Sequence, residues 1–436
     1  MEDIILNEDQ KIARDKIIDW YEHHKDTKPI FTLAGYAGTG KTFLVKHIVN
    51  DELKIQADCA YVAFTGKAAS VLIQRGATNV STIHKLIYNR VEIENTVKIN
   101  DKTIKIKKFE FVKKPAIPKF KLIVVDEISM VDRDLLEDLL SFGIPLLCCG
   151  DSGQLPAITK SNDLLDRPDA QLTQIVRQEE GNAIVKIAQM ARLGQPIPCG
   201  NYGNVIVTDF NHLSEEQLKK LYLKADQVLC GTNRTRHMLN RKIKAYKNLK
   251  LDEANENEKI ICLLNNWECY LDEDLNYPLV NGTIGFIQSL EKAKGDENLS
   301  LLSFRADFLT DVTDELIFDD GVFKNNGALT YDFHQNVYVM SDGSYKIQKT
   351  FEPKGKDESI ENYNKRVREL AMIKRDAVER IQVNFFDSAY AISVHKSQGS
   401  EWNNVVLIDE SNIFNCPEKW LYTGITRAKK HLIIIK

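Results

Sequence analysis

Gly35-Tyr36-Ala37-Gly38-Thr39-Gly40-Lys41-Thr42 satisfies the pattern G-x-x-x-x-G-K-[ST], and the chemistry open to such a loop is phosphate binding. Gly35, Gly38 and Gly40 let the backbone around Thr39 wrap an anion with its N–H groups. Lys41 can reach β- and γ-phosphates, and Thr42 can hold Mg²⁺. The flanks agree: the apolar run PIFTL precedes the loop and the amphipathic FLVKHIV follows it. Further on, KLIVVDEISM ends an apolar run in Asp126 and Glu127. The first carboxylate can hold Mg²⁺ through water and the second can activate an attacking water. Acids at strand ends are common, so it is their pairing with the loop that implies hydrolysis of a nucleoside triphosphate with Mg²⁺.

Other residues could act on the same phosphates. The run PLLCC ends in Gly150-Asp151-Ser152-Gly153-Gln154-Leu155-Pro156. A glutamine there can contact a γ-phosphate or the attacking water and report hydrolysis to its surroundings. An ordinary Gly/Asp-rich turn is the plain alternative. Arg177 in LTQIVRQ and Arg427 in LYTGITRAKKHL lie far from the loop in sequence. A guanidinium aimed at developing negative charge contributes most to phosphoryl transfer, and one carried by a second domain would make hydrolysis depend on domain closure. For either arginine the alternative is a surface ion pair.

Residues of this kind belong at the carboxyl ends of parallel strands. The chain offers PIFTL, CAYVAF, KLIVV, PLLCC, DQVLC and NNVVLI, each a short apolar run followed by a helix-like segment. That alternation predicts an α/β fold of parallel sheets covered by helices. Two stretches break it. Within 88–118, RVEIENTVKI and KTIKIKKFEFV alternate apolar and polar residues about Asn100-Asp101, which predicts an inserted β-hairpin. Residues 286–380 mix short β-like segments such as LSLLSF with the charged EPKGKDESIENYNKRVREL, which predicts a small β-rich insertion carrying a helix.

The chain of 436 residues is long enough for about three domains. Its 43% hydrophobic and 28% charged residues exclude a disordered protein. No apolar run is long enough to span a bilayer, and MEDIILNEDQ lacks the layout of a signal peptide, so the expected location is the cytoplasm, or the host cytoplasm for a phage protein. The eight cysteines form no zinc-like spacing and read as reduced thiols. A net charge of −4 carries no global nucleic-acid signal, but the distribution is uneven. Nine lysines within 98–121 face only Asp101 and Glu110, and residues 233–250 hold seven basic side chains and no acid. Each segment could neutralise several phosphates; solvated charged faces are the alternative.

Taken in order, ten segments resemble superfamily 1B helicases, the RecD-like and Dda-like branch. They are Gln10 in LNEDQ, GYAGTGKT, AFTGKAA, STIHKLI, DEISM, GDSGQLP, LTQIVRQ, LCGTNRTR, SVHKSQGSEW and YTGITRA, and they span nearly the whole chain. The resemblance implies two tandem RecA-like P-loop domains. Residues 1–170 would form domain 1A, with 88–118 as its inserted hairpin; 171–285 and 381–436 would form domain 2A, and 286–380 domain 2B. It also implies that Gln10 reads adenine, Glu127 is the catalytic base, Arg177 and Arg427 are arginine fingers, Gln154 couples, and Glu401 lies near the ribose. Strand contacts map to Thr65, His84, Asn233, Ser393, His395 and Ser397, where short hydroxyls, an amide and imidazoles suit phosphates. The hairpin would act as a separation pin, with Phe109 or Phe111 stacking on a base at the fork; packing of these rings against the hairpin's own domain is the alternative.

These implications describe an ATP-driven motor that travels 5′ to 3′ on single-stranded DNA and opens forked duplexes in replication, recombination or repair. A single-strand-binding, replication or recombination protein is the expected class of protein partner. Two rivals stand beside this reading: an RNA helicase of the same superfamily, and a nucleotide-gated binding module that does not unwind.

Overall fold

The apolar runs become the strands of two sheets and the insertions become small β-structures. The structure, a computed structural model, describes residues 6–99, 102–156, 162–174, 182–251, 253–264, 266–272, 277–279, 281–292, 299–306, 324–331, 336–339, 345–348, 359–363, 365–366, 368 and 384–436. They divide into two units, one of residues 1–89, 113–238 and 391–436 and one of residues 90–112 and 239–390.

The first unit opens with helix α1 (Glu8–Asp19), started by a capping box between Asn7 and Gln10. Strand β1 (Ile30–Gly35) leads through the glycine-rich loop into α2 (Lys41–His47). Then come β2 (Cys59–Ala63), α3 (Gly66–Gln74), β3 (Val80–Thr82) and α4 (Ile83–Ile87). Strands β4 (Tyr88–Ile99) and β5 (Lys102–Lys113), whose residues 90–112 belong to the second unit, pair as a two-stranded sheet, the hairpin expected from their alternation. Next are β6 (Leu122–Asp126), α5 (Arg133–Leu140), β7 (Leu146–Gly150) and β8 (Ala170–Leu172).

The first sheet runs β3-β2-β6-β7-β1-β8 with every neighbour parallel. Its four inner strands, β2, β6, β7 and β1, are buried on both faces, which is why they read as unbroken apolar runs. Alternate residues nevertheless go to different cores. Leu33, Tyr61, Val124, Leu147 and Cys149 join the α1–α2 side, whereas Ala34, Val62, Ile123, Val125 and Cys148 join the α5 side.

A second sheet in the same unit follows α6 (Ala183–Arg192) and comprises β9 (Gly200–Asn201), β10 (Val205–Thr208) and, after α7 (Glu215–Lys224), β11 (Gln227–Cys230). Helix α8 (Asn233–Tyr246) begins directly beyond β11.

The second unit contains a closed barrel built from β12 (Lys259–Cys262), β15 (Ile284–Lys292), β16 (Leu299–Ala306), β17 (Lys324–Tyr331) and β20 (Asn384–Ser388). Strands β13 (Asn266–Asp272) and β14 (Tyr277–Leu279) pair separately, as do β18 (Asn336–Val339) and β19 (Tyr345–Gln348). The charged stretch expected to carry a helix is described only in part, and its described residues 359–363, 365–366 and 368 are almost all helical.

The chain then completes the second sheet with β21 (Ala391–Ser393), β22 (Trp402–Ile408), α9 (Pro417–Ile425) and β23 (Ala428–Ile435). Its order is β21-β11-β22-β23-β10-β9, parallel throughout except where β9 meets β10. No described helix is long and apolar enough to cross a membrane. Cys59, Cys148, Cys149 and Cys230 are free and buried in strands. Burial pushes the Cys59 and Cys230 thiols up to about 12, so they pack as small apolar groups.

Candidate functional site: a nucleotide cleft between two sheets

The loop after β1 holds its shape through glycine. Gly38 and Gly40 have φ of 80° and 81°, a region that an L side chain enters only with strain. A Cβ on Gly35 would lie 2.7 Å from Thr39 Oγ1 and 3.1 Å from Lys41 Cγ. Thr39 is fully buried and donates its hydroxyl to the Tyr36 carbonyl at 2.9 Å. Lys41 Nζ donates to the carbonyls of Gly35 and Tyr36 at 2.6 and 3.1 Å. An ammonium held by neutral carbonyls has room to gain from an anion. Gln10, also buried, donates from Nε2 to the Thr39 carbonyl at 3.1 Å, which ties α1 to the loop.

Strand β6 brings Asp126 and Glu127 to the same end of the sheet, since β6 lies beside β7 and β7 beside β1. Glu127 adopts φ 52° and ψ 46°, a left-handed conformation that a non-glycine residue holds at a cost of about 1 kcal/mol and that clusters at functional sites. It turns the chain sharply off the strand. Burial holds the Glu127 carboxyl well above the ordinary range; Asp126 adds to this, and Arg427 and Lys41 oppose it. Burial also raises Asp126, against the pull of Lys41 and Arg75. Arg75, one residue beyond α3, donates from Nη1 to Thr42 Oγ1 at 3.2 Å. The sequence carries no sign of this contact, because a cation after a helix reads as a partner of the helix dipole.

The second sheet closes on this end through α9. Tyr422 donates its hydroxyl to Asp151 Oδ2 at 2.8 Å and accepts the Ala37 amide N–H at 3.3 Å. Thr423 Oγ1 accepts the Leu155 amide at 3.0 Å, and Gln398 Nε2 donates to the Leu155 carbonyl at 3.2 Å. Arg427 is buried; its Nε donates to the Thr423 carbonyl at 2.9 Å and Nη1 to the Ser400 carbonyl at 3.2 Å. Those acceptors are neutral, and the guanidinium is close enough to Glu127 to draw its carboxyl down. Gln154 is buried as well: Nε2 makes a long 3.5 Å contact to Asp151 Oδ2, and Oε1 has no partner among the described residues. A buried carbonyl left unpaired is costly, and a bound water or ligand would relieve it.

Lys41, Thr42, Asp126, Glu127, Gln154 and Arg427 thus meet in one cleft. Glu401 is half-buried next to Ser400, the acceptor of Arg427. Arg177 lies outside the described residues, but the segment leading to it is fastened. Asp9 Oδ2 accepts from the Thr173 amide at 2.9 Å, the Thr173 hydroxyl at 2.6 Å and the Gln174 amide at 3.1 Å.

Candidate strand contacts divide between the sheets. Thr65 caps α3 by accepting the Ala68 amide at 3.1 Å. On α4, the His84 ring lies 6.1 Å from Phe64 and 5.6 Å from Tyr88, and burial holds its imidazole below the ordinary value. On the second sheet Ser393 ends β21, and His395 lies 5.4 Å from Phe414. Burial likewise lowers His395. Ser397 is fully buried and donates to the Val394 carbonyl at 2.7 Å, so its side chain serves the turn. Asn233 is exposed at the start of α8. The preceding turn is held by Glu410, which accepts the Gly231 amide at 2.6 Å and the Thr232 amide at 3.1 Å. Phe111 is half-exposed on β5. Phe109 lies on the same strand, and its side chain is outside the described residues.

Two family models match in the order of the two sheets: an AAA domain over residues 6–203 and a UvrD-like helicase C-terminal domain over residues 388–435. The ATP-dependent RecD2 DNA helicase of Deinococcus radiodurans is 22% identical over 432 residues, 92% of this chain and 46% of the relative. These matches agree with the resemblance to superfamily 1B helicases carried by the motifs. The ATP-dependent DNA helicase PIF1 of Xenopus laevis is similar to this chain at 24% identity, over 68% of it and 49% of the relative. The ATP-dependent DNA helicase dda of Enterobacteria phage T4 is 32% identical over 137 residues, 30% of this chain and 29% of the relative. The chain therefore spans half or less of the length of these relatives. A solved Pif1 helicase, from work on DNA unwinding at forked dsDNA by two coordinating Pif1 helicases, covers 99% of this chain. The match takes in 92% of the solved chain, with 18% identity and a TM-score of 0.50, and it shows that the fold is shared.

Proposed function

We propose that this protein is an ATP-dependent DNA helicase that tracks along single-stranded DNA from 5′ to 3′ and opens forked duplexes. The observation that carries the reading is the single cleft in which the phosphate loop and acids of one sheet meet the buried arginine of the other. The names of the relatives, all ATP-dependent DNA helicases, point the same way.

The donors in the cleft fit Mg²⁺. Thr42 and Asp126 offer hard oxygens, and the Thr42 hydroxyl already accepts from a cationic group, Arg75. No described cluster of three or more His, Cys, Asp or Glu could form a protein cage, as suits an ion that keeps several waters and binds through few protein oxygens. When bound, Mg²⁺ would offset the charge of the phosphates. Lys41 exchanges its loop carbonyls for phosphate oxygens, and Glu127, with its raised proton affinity, takes the proton of the attacking water. Arg427 balances the negative charge that develops, with Arg177 as its proposed companion. Gln154 offers its unpaired Oε1 to that water. Gln10 holds the base, and Glu401 lies towards the ribose. Each closure of the cleft brings together the strand grips of the two sheets, Thr65 and His84 on the first and Asn233, Ser393 and His395 on the second. If each sheet holds DNA differently in the open and closed states, one cycle advances the protein.

The test is strand displacement with ATP and Mg²⁺ on duplexes carrying either a 5′ or a 3′ single-stranded DNA tail, with RNA-tailed duplexes as a further arm. Displacement from the 5′-tailed DNA alone is expected. Failure on every substrate would leave a translocase or binding module, and preference for RNA would favour the RNA reading.

A further inference from the structure

The hairpin needs a fixed root if force on the strand is to reach its tip, and one carboxylate holds both of its legs. Tyr88, the first residue of β4, donates its hydroxyl to Asp138 Oδ2 at 2.5 Å. Lys113, the last residue of β5, donates to Asp138 Oδ1 at 3.0 Å. Asp138 belongs to α5, which Asp132 caps through the Leu135 amide and which packs Leu135, Leu136 and Leu139 into the first sheet's core. The carboxylate is therefore mounted on a rigid element.

The contacts close into a ring. Lys114 donates its amide to the Ile87 carbonyl at 2.8 Å and its Nζ to the carbonyls of Lys85 and Leu86 at 2.7 and 3.0 Å. The returning leg is thus pinned to α4, the helix that carries His84, while the outgoing leg continues α4 directly through Tyr88. His84 and Tyr88 rings are neighbours at 5.6 Å. An exposed Lys–Asp pair alone contributes little; here one acceptor on α5 receives both legs, which pair with each other and are joined by Lys114, and so ties the root as a unit to the first sheet's helix.

We propose that Asp138 is a positioning residue for strand separation: by bracing both legs of the hairpin at their root, it couples a strand held at His84 to the hairpin. The proposal rests on the separation-pin reading of the hairpin. Among the described residues, Asp138, Tyr88 and Lys113 make no contact with those of the nucleotide cleft, so ATP turnover is expected not to depend on the brace.

The test compares the full-length wild type with Asp138→Asn, Asp138→Glu and a variant in which residues 93–108 are replaced by an Asn-Gly turn. Each is assayed for displacement of a 5′-tailed fork, for ATP hydrolysis stimulated by oligo(dT), and for thermal stability. Asp138→Asn keeps an acceptor for Tyr88 but turns an amide towards Lys113. Its displacement rate is expected to fall about five-fold or more, with ATP hydrolysis and melting unchanged. Asp138→Glu is expected to restore part of the rate, and the shortened hairpin to lose most of it. If the shortened hairpin fails but Asp138→Asn displaces normally, the bracing role is wrong and the pin stands. If the shortened hairpin displaces normally, the pin reading falls and this inference with it. A parallel loss of hydrolysis or melting temperature in Asp138→Asn would make Asp138 a general structural residue and overturn the proposal.

Discussion

Removing the Tyr422 hydroxyl tests whether the hydrogen bonds between the two sheets serve hydrolysis or only folding. Tyr422→Phe keeps the buried ring and deletes one oxygen, so no cavity larger than that atom forms. The oxygen has two duties: it donates to Asp151 at 2.8 Å and accepts from the Ala37 amide in the phosphate loop at 3.3 Å. Asp151 is fully buried and has two other donors, the Gly153 amide at 2.9 Å and Gln154 Nε2 at a weak 3.5 Å. A hydrogen bond to a charged group contributes about 1.5–3 kcal/mol, and a buried carboxylate that loses one regains part of it by drawing in its remaining donors. A net loss of about 1–2 kcal/mol remains, equivalent to roughly a 5–30-fold change in population. Because the bond joins α9 to the first sheet, the loss falls on the closed arrangement that puts Arg427 beside Glu127. Steady-state ATP hydrolysis with saturating oligo(dT) should show kcat lowered by roughly 5–30-fold. The KM for ATP should change less, since Lys41 and the loop amides remain. A kcat within about two-fold of wild type, with melting lowered, would refute the reasoning and make Tyr422 a folding residue.

Asp169 offers a test by pH. Burial pushes its carboxyl up, but bonds from Lys28 and from the Thr32 amide and hydroxyl outweigh this and leave it below its ordinary value. A lowered folded-state value means that the stabilisation is complete above the unfolded carboxylate's range and is lost as pH falls through the folded value. Asp169→Asn should cost about 1 kcal/mol at neutral pH, and its stability should converge on the wild type below roughly pH 4 in acid-unfolding curves. In the second unit, Lys244 and Glu258 form a fully buried pair at 3.0 Å, with Ser388 Oγ and Asn255 Nδ2 also donating to Glu258 at 2.6 and 2.8 Å. Lys244→Met strands a buried carboxylate and should cost about 3–5 kcal/mol in urea unfolding. Adding Glu258→Gln should recover part of that loss, because the amide keeps an acceptor for Ser388 or Asn255 without an uncompensated charge.

Much of the chemistry was legible because phosphate binding imposes local rules. A glycine-rich turn between a strand and a helix needs glycines where φ is positive, as at Gly38 and Gly40, and a lysine and threonine at fixed offsets. The strands were equally legible, since burial on both faces leaves only apolar residues to choose from. The hairpin followed from strict alternation on either side of Asn100-Asp101. The barrel did not: its first strand, β12, pairs with β20 far along the chain, and a pairing of that kind leaves no mark within a short window.

The sequence by itself pointed to residues with the chemistry to bind a phosphate and activate a water, and determined in what order two α/β sheets and their insertions follow along the chain. Only the tertiary structure decided which of those residues meet. Arg427 is 386 positions from Lys41, and nothing in either segment states that α9 lies against the phosphate loop. Tyr422, Asp151 and Arg75 look unremarkable in their own helices and turns, and Ser397, chosen for its hydroxyl, proved to be spent on its own turn. Side-chain roles of that kind depend on burial and on partners from distant strands. Those are fixed by long-range packing, whereas the phosphate loop is fixed by backbone geometry within eight residues.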